Sequence, residues 1–253
     1  MKNMKPWLRT AIIGAGAFVL AAALTLLAIF VFVPAGKFGR AGSLQSKGNL
    51  AEAYDAYEKM GDYRDALDRM LELQAQVIAS RSSEFMEFGG RQWLVLEERD
   101  GRALLLAKDV TEMMPYNESL VDTTWEDCTL RLYLNGAFYN SFQEADRARI
   151  ARTNVVNSDN VENSAAVKAG GDTQDYIFLL SLAEAKLYFS TDAARSARQA
   201  NGAAAYWWLR SPGMEPILAS VVGSDGSIGF AGSGVDYGSR GVRPAMWVAL
   251  AQD

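Results

Sequence analysis

The pattern of apolar and polar positions divides the chain into three segments, of which the first is almost entirely apolar. From Thr10 to Val33 no residue is charged, a run long enough for a helix of about 36 Å, against a bilayer hydrocarbon core of about 30 Å. We therefore predict a transmembrane helix over residues 10–33, between a cytoplasmic N-terminus (1–9) and a linker (34–47). A cleaved signal peptide is the alternative, although its apolar region is usually shorter, about 7–15 residues.

Basic residues flank this apolar run in equal numbers on its two sides. Before and after the run they are Lys2, Lys5, Arg9, Lys37, Arg40 and Lys47. Positive charge favours the cytoplasmic side, so the charges alone nearly balance, and the shortness of the leading segment favours an N-terminus inside the cell. The sequence predicts a single-pass protein of the cell membrane, in contact with lipid through residues 10–33 and carrying an extracellular C-terminal domain.

The second segment has the spacing of two short helices. Apolar residues recur three and four positions apart between Leu50 and Leu73, on both sides of Gly61, which predicts a helical hairpin over residues 48–80. This segment resembles one tetratricopeptide-type repeat unit. Because a single unit cannot bury a core alone, we interpret it as a stalk that packs on the following domain or on a second copy of the chain, forming a homo-oligomer.

From Glu84 the pattern changes to short strands interrupted by short helices. Gly89-Gly90 and Asp100-Gly101 separate apolar strands and indicate two hairpins. A strand is expected over residues 176–180 and a helix over 181–189.

The C-terminal part of this segment is rich in aromatic residues and glycine. We expect an aromatic strand over residues 205–213, a hairpin over 217–230, a glycine-rich loop over 232–241 and a last strand over 242–250. Short helices among antiparallel strands predict an α+β domain over residues 84–250.

The composition narrows the chemistry available to this domain. Residues 1–40 contain five basic residues and no acidic residue, whereas the whole chain has a net charge of −5, so the remainder carries about −10. Nucleic acid is therefore not an expected partner, because its phosphates require basic surface. Histidine is absent, which excludes Ser-His-Asp and Cys-His catalysis and imidazole–zinc sites within this chain. We expect neither a cofactor nor a metal site.

No residue combination in the sequence has catalytic spacing. Cys128, the single cysteine, lies on the apolar face of a helix predicted from Thr124 to a stop at Asn135-Gly136, where a thiol is expected to be inert. Two carboxylate pairs, Glu126-Asp127 and Asp172/Asp175, meet the minimum for glycoside hydrolysis. The first pair is better explained by helix capping and the second by loop solvation before a strand, so no catalytic residue is predicted.

Candidate ligand-binding residues come from the aromatic strand. Trp207 and Trp208 should point to opposite faces, so that one is in the core and the other reaches the surface. An exposed indole beside Arg210 would form a stacking or cation–π platform, with simple core packing as the alternative. Arg243 is expected to be a paired structural arginine.

The glycine-rich region supplies the remaining candidates. It has no phosphate-loop spacing and no lysine, which gives no support to nucleotide binding. A loop presented by a rigid sheet is nevertheless a usual place for recognition, and its candidates are Asp225, Asp236, Tyr237 and Arg240.

Four phrases of the sequence carry a resemblance to a known group of proteins. They are "TWEDCTLRLYLNGAFYNSF", "DTQDYIFLLSLAEAKLYF", "WWLRSPG" and "GVRPAMWV", and together they resemble an uncharacterised domain of clostridia-like Gram-positive bacteria, often found behind a transmembrane helix or a short helical repeat. The resemblance covers residues 84–250 and implies no activity.

The end of the chain is also similar to formylglycine-generating-enzyme-like and C-type-lectin-like domains, which implies a fold only. Formylglycine-generating enzymes hold copper with two cysteines, and this chain has Cys128 alone. Calcium lectins carry Glu-Pro-Asn and Trp-Asn-Asp triplets, from which Glu215-Pro216-Ile217 and Trp125-Glu126-Asp127 depart.

These features together predict a membrane-anchored envelope protein whose α+β domain binds or senses a ligand. The expected ligands are a cell-wall glycan, a peptide or an envelope protein. Two alternatives stay open, a carboxylate-based enzyme acting on cell-wall material and a scaffold that assembles a membrane complex through the helical stalk.

Overall fold

The computed structural model describes residues 33–160 and 166–251. The predicted transmembrane helix lies outside these residues, apart from Val33. Within them, no helix is both long enough and apolar enough to cross a bilayer. The chain divides into two compact units, with the boundary between Leu71 and Glu72.

The first unit is helical from its first described residue. The segment expected to be a linker forms helix α1 (Val33–Ser46), which is followed by α2 (Leu50–Glu58). The edge of the Phe38 ring packs on the ring of Tyr57, with 5.5 Å between their centroids, and Ala41 and Tyr57 are buried. The predicted linker over residues 34–47 is therefore mostly a helix, because its apolar contact with α2 stabilises it.

The third helix, α3 (Ala66–Ala79), begins in the first unit and ends in the second. Its C-terminal half buries Leu73 and Val77. Between them Gln74 donates to the main-chain carbonyls of Lys186 and Leu187. This half of the helix therefore packs within the second unit, and the two helices expected around Gly61 are present.

The second unit contains a four-stranded antiparallel sheet. Its strands are β1 (Phe85–Phe88), β2 (Arg91–Arg99), β3 (Arg102–Ala107) and β13 (Ala245–Ala249), in the order β1-β2-β3-β13. Both predicted hairpins are present. Asp100 and Gly101 have φ angles of 51° and 69°, as a tight two-residue hairpin turn requires.

A five-stranded sheet carries the aromatic strand. Its order is β11-β10-β9-β12-β4, and its members are β4 (Glu112–Met113), β9 (Trp207–Pro212), β10 (Leu218–Val222), β11 (Ile228–Gly234) and β12 (Gly241–Val242). All pairs are antiparallel except β9 with β12. Strand β9 therefore has hydrogen-bonded neighbours on both edges.

Short elements complete the second unit. They are β5 (Thr153–Val155), β6 (Thr173–Asp175), β7 (Ala197–Arg198), β8 (Ala204–Ala205), α4 (Thr129–Tyr133), a π-helical turn (Leu134–Phe138), α5 (Glu144–Arg147), α6 (Leu182–Tyr188) and α7 (Asp192–Arg195). The unit is thus an α+β fold with mostly antiparallel sheets, as predicted.

Three local predictions differ from the structure. The helix expected from Thr124 begins at Thr129 with Cys128 as its cap. It does not stop at Asn135-Gly136, because the Asn135 side chain is bonded to the segment before α6. Its Nδ2 donates to Ile177 O and its Oδ1 accepts from Tyr176 N, which holds the π-helical turn in place. The strand expected over 176–180 lies three residues earlier, as β6.

Candidate functional site

The aromatic strand β9 does not present an indole to solvent. Trp207 and Trp208 are both fully buried. Their ring nitrogens donate to the carbonyls of Arg195 and Met114, at 3.2 and 2.9 Å. The expectation that one of the two reaches the surface is corrected, because β9 is covered on both faces.

Arg210, the third candidate on β9, is also buried. Its guanidinium forms an ion pair with Glu184 of α6, in which Nη2 donates to Oε1 at 2.9 Å. It also donates to the carbonyls of Leu179 and Val156, at 2.7 and 3.0 Å. Since Glu184 also accepts the Ser181 N–H of the capping box, Arg210 joins the strand to the helix start and is not a surface ligand.

Arg243 has the structural role expected of it. It is buried and donates to the carbonyls of Ala107, Arg195 and Lys108, at 2.9, 3.0 and 2.9 Å. Its guanidinium carbon lies 5.0 Å from the ring centre of Trp207. Burial lowers the pKa of Arg243 to about 10.

Asp225 is separated from the other candidates of the glycine-rich region. It lies in the turn that joins β10 to β11, where Oδ1 accepts from Ser227 N at 3.0 Å and from Ser227 Oγ at 2.6 Å. The Ser227 hydroxyl is the main reason that the pKa of Asp225 is lowered. The other three candidates, Asp236, Tyr237 and Arg240, come after the opposite end of β11. Asp225 is therefore not part of the same cluster.

The loop between β11 and β12 is fixed by hydrogen bonds at its first residue, and the residues that follow are exposed. Val235 is buried, donates to Ile217 O at 3.1 Å and accepts from Asn117 N at 2.8 Å. Asp236 and Tyr237, which come next, are exposed, and Tyr237 retains 53% of its accessible surface. A fixed backbone therefore presents two side chains to solvent.

Beside this loop, one arginine lies close to two exposed tyrosine rings. The guanidinium carbon of Arg240 lies 4.7 Å from the ring centre of Tyr206 and 5.5 Å from that of Tyr237. Its Nε donates to Ser233 Oγ and its Nη1 to Ser239 Oγ, each at 3.2 Å. Tyr206 is 44% exposed, so both rings and part of the guanidinium face solvent.

Apolar side chains border this cluster. A Cβ at Gly234 would lie 3.1 Å from Asp236 Oδ1 and 3.6 Å from both Leu120 Cδ1 and Tyr237 Cε1, so a carboxylate and two apolar groups lie beside this glycine. Met113 pairs with Gly241, which donates its N–H to Tyr206 O. Leu120 and Met113 are both exposed. We call Met113, Leu120, Tyr206, Tyr237 and Arg240 together the Tyr–Arg surface.

The carboxylate pairs are used for structure. Asp175 is fully buried and accepts from Trp125 Nε1, Thr173 Oγ1 and Arg131 Nε, at 2.9, 2.7 and 2.7 Å. Glu126 accepts from Gly171 N. Among the described residues, no group of three or more carboxylate or cysteine side chains could hold a metal ion.

Cys128 is buried as expected. Its sulfur accepts from Arg131 N at the start of α4, and burial raises the pKa of the thiol to about 12. At neutral pH the nucleophilic thiolate is therefore almost absent.

Three members of the Tyr–Arg surface, Met113, Leu120 and Tyr206, are not among the candidates from the sequence. Tyr206 stands beside two tryptophans and Leu120 lies in an irregular segment. The alternation of side chains along a strand could have placed Tyr206 on the face opposite to Trp207. No sequence pattern could have identified Leu120, because only the fold brings it close to Gly234.

Comparison with known proteins places the chain in a family. The family model for a domain of unknown function, DUF6273, matches residues 100–250. This is more than half of the chain, and the chain belongs to that family, which confirms the predicted membership in an uncharacterised domain group. No curated protein and no solved structure matches the chain, so the likeness to lectin-like domains stays a prediction.

Proposed function

We propose that residues 10–33 anchor the protein in the cell membrane and that its α+β domain binds a ligand of the cell envelope without altering it. The observation that carries the proposal is the exposed pair of rings, Tyr206 and Tyr237, which both lie close to the Arg240 guanidinium. The anchor itself rests on the uncharged run of the sequence.

The physical character of the Tyr–Arg surface supports binding. Exposed tyrosine rings offer apolar area at a small cost in conformational entropy, and a guanidinium adds directed hydrogen bonds. The loop that carries Tyr237 and Arg240 is fixed by the buried Val235 and by the hydrogen bond from Arg240 to Ser233. A ligand would therefore meet a surface that is already ordered, which lowers the entropy cost of association.

A carboxylate-based enzyme receives less support than binding. Asp175 is inaccessible and paired with Arg131, while Asp127 accepts from Thr124 Oγ1 and Asp172 from Asn157 N. Each carboxylate thus has a local structural contact, and none belongs to the Tyr–Arg surface.

A scaffold function through the helical segment is the second candidate. Leu67 and Leu71 lie four positions apart on α3, and each exposes about half of its surface. Residues at this spacing share one face of a helix, which would suit a partner helix. Deleting residues 48–71 in cells would test it, since loss of function with the α+β domain retained would favour the scaffold.

Binding can be tested with the full chain in detergent micelles and soluble fragments of purified cell wall. We expect the double variant Tyr206→Ala/Tyr237→Ala to weaken binding at least about tenfold, which is about 1.4 kcal/mol. Fragment masses before and after incubation should be identical.

Leu120→Ala and Leu132→Ala form a matched control pair, because both leucines are exposed and only Leu120 belongs to the Tyr–Arg surface. Weaker binding is expected for Leu120→Ala alone. Unchanged binding of the tyrosine variant would overturn the proposed site, and shortened fragments would overturn binding without catalysis.

A further inference from the structure

We infer that the ligand of the Tyr–Arg surface is the end of an apolar peptide, with its free C-terminal carboxylate bound by Arg240. This inference rests on the proposed function and specifies the chemistry of the ligand. It follows from the guanidinium geometry, from the charge of the domain and from the apolar side chains around Arg240.

The guanidinium of Arg240 is oriented before any ligand arrives. The Tyr206 and Tyr237 rings lie against it at 4.7 and 5.5 Å. Ser233 and Ser239 accept from Nε and Nη1. A guanidinium has five N–H donors, so these two contacts within the described chain leave the two N–H groups of Nη2 and one of Nη1 for a ligand. A planar, fixed donor group of this kind matches a carboxylate.

The net negative charge of the domain favours a ligand with one negative group over a ligand with many. Residues beyond position 40 carry about −10, as counted from the sequence, and exposed Asp236 lies four positions from Arg240. A polyanion such as a phosphate polymer would need several basic residues to offset this repulsion. A single carboxylate on an otherwise neutral ligand needs only Arg240.

The side chains around Arg240 favour an apolar group next to that carboxylate. Leu120 and Tyr237 lie beside Gly234, together with the Asp236 carboxylate. Met113 on β4 pairs with Gly241 of β12, which donates its N–H to Tyr206 O. Apart from the Asp236 carboxylate, these side chains offer hydrophobic area rather than the many polar groups that would satisfy sugar hydroxyls. The last side chains of an apolar peptide would bury this area while the carboxylate contacts Arg240.

The test uses the full chain in detergent micelles with two probes, N-acetyl-Ala-Leu-Ala with a free carboxylate and the same peptide as its C-terminal amide. Calorimetry should show at least about tenfold tighter binding of the acid, because a charge-assisted hydrogen bond is lost in the amide. Arg240→Gln should bring the two affinities to within about twofold. Arg102→Gln, at an exposed arginine of β3, should preserve the difference.

The outcomes separate this inference from the proposed function. If acid and amide bind equally and Tyr237→Ala weakens both, the carboxylate assignment fails while the surface remains the binding site. If neither peptide binds but a wall sugar acid does so through Arg240, the peptide assignment fails and a glycan acid replaces it. Acetate and inorganic phosphate can each be added as competitors of the acid peptide. If phosphate competes as well as acetate does, the preference for a carboxylate is wrong.

Discussion

Strand β9 and the loop after β11 contain the same kinds of residue and use them in opposite ways. Each combines aromatic side chains with an arginine, and Tyr206 at the start of β9 contacts the loop through Arg240. Yet Trp208 and Arg210 are buried, whereas Tyr206 and Tyr237 are exposed. Covering of the sheet faces decides this, because β9 is covered on both faces whereas the loop lies beyond the end of β11.

The two arginines show the difference most clearly. Arg210 contacts the Glu184 carboxylate and main-chain carbonyls through both of its Nη groups, inside the domain. Arg240 contacts two serine hydroxyls and two exposed rings. Removal of the first should therefore reduce folding stability, and removal of the second should reduce binding.

The largest effect on stability is expected from Trp208→Ala. The fully buried indole packs on Tyr116, with 5.7 Å between ring centroids, and its removal leaves a cavity that should cost about 3–5 kcal/mol. Urea denaturation of the full chain would measure it. Tyr237→Ala is the matched surface change and should cost less than about 1 kcal/mol; similar losses for the two would remove the distinction between the regions.

Arg210→Met should cost about 3 kcal/mol, because it leaves the Glu184 carboxylate without its guanidinium. Arg240→Met, measured in the same way, should change the unfolding free energy by less than about 1 kcal/mol. Denaturation midpoints for the pair would show whether the two arginines differ as described. A stable Arg210→Met protein would contradict the structural role of that ion pair.

A third and smaller effect is the dependence of folding stability on alkaline pH, which comes from a buried thiol. Burial raises the pKa of Cys128 to about 12 from an ordinary value of 9.0. Above pH 9 the thiol ionises in the unfolded chain but stays protonated in the folded one. Stability should therefore fall as pH rises towards 12, by up to about 1.4 kcal/mol per pH unit from this group.

Cys128→Ala removes this contribution, and its unfolding free energy should decline less steeply than that of the wild type between pH 9 and 10.5. Equal slopes would show that the thiol ionises as readily in the folded chain as in the unfolded one. The thiol should also react with a maleimide at pH 7 only after denaturation.

The smallest effect on stability is expected from Arg240→Lys, within about 0.5 kcal/mol of the wild type. Lysine keeps the charge but loses the planar group that lies close to both rings. Affinity for the acid peptide should nevertheless fall several-fold. A variant that binds as well as the wild type would show that charge alone is recognised at the Tyr–Arg surface.

Much of the fold could be predicted because its signals are local. The hairpin turn at Asp100-Gly101 and a helix within residues 181–189, α6, are both present as the sequence indicates. Helix α1 was missed because Gly36, Gly39 and Gly42 lower helix propensity. Its packing on α2 supplies the stability that propensity does not.

The site was only partly predictable because its members depend on distant contacts. Alternation along β9 implied that one tryptophan faces outward, but it carries no information on whether a layer covers that face. Arg210 and Arg240 look alike in sequence, and only the Glu184 partner on a separate helix distinguishes them. Tyr237 and Arg240 were found because a loop after a strand end is exposed in most folds.

The most direct test of binding at the Tyr–Arg surface is hydroxyl-radical footprinting of the full chain with and without cell-wall fragments, read by mass spectrometry. Bound fragments should protect Tyr206, Tyr237 and Met113 from oxidation. Tyr139 and Tyr176, a stacked and partly exposed pair elsewhere on the domain, should react equally in both samples. Fragment binding that leaves Tyr206 and Tyr237 unprotected would contradict the account.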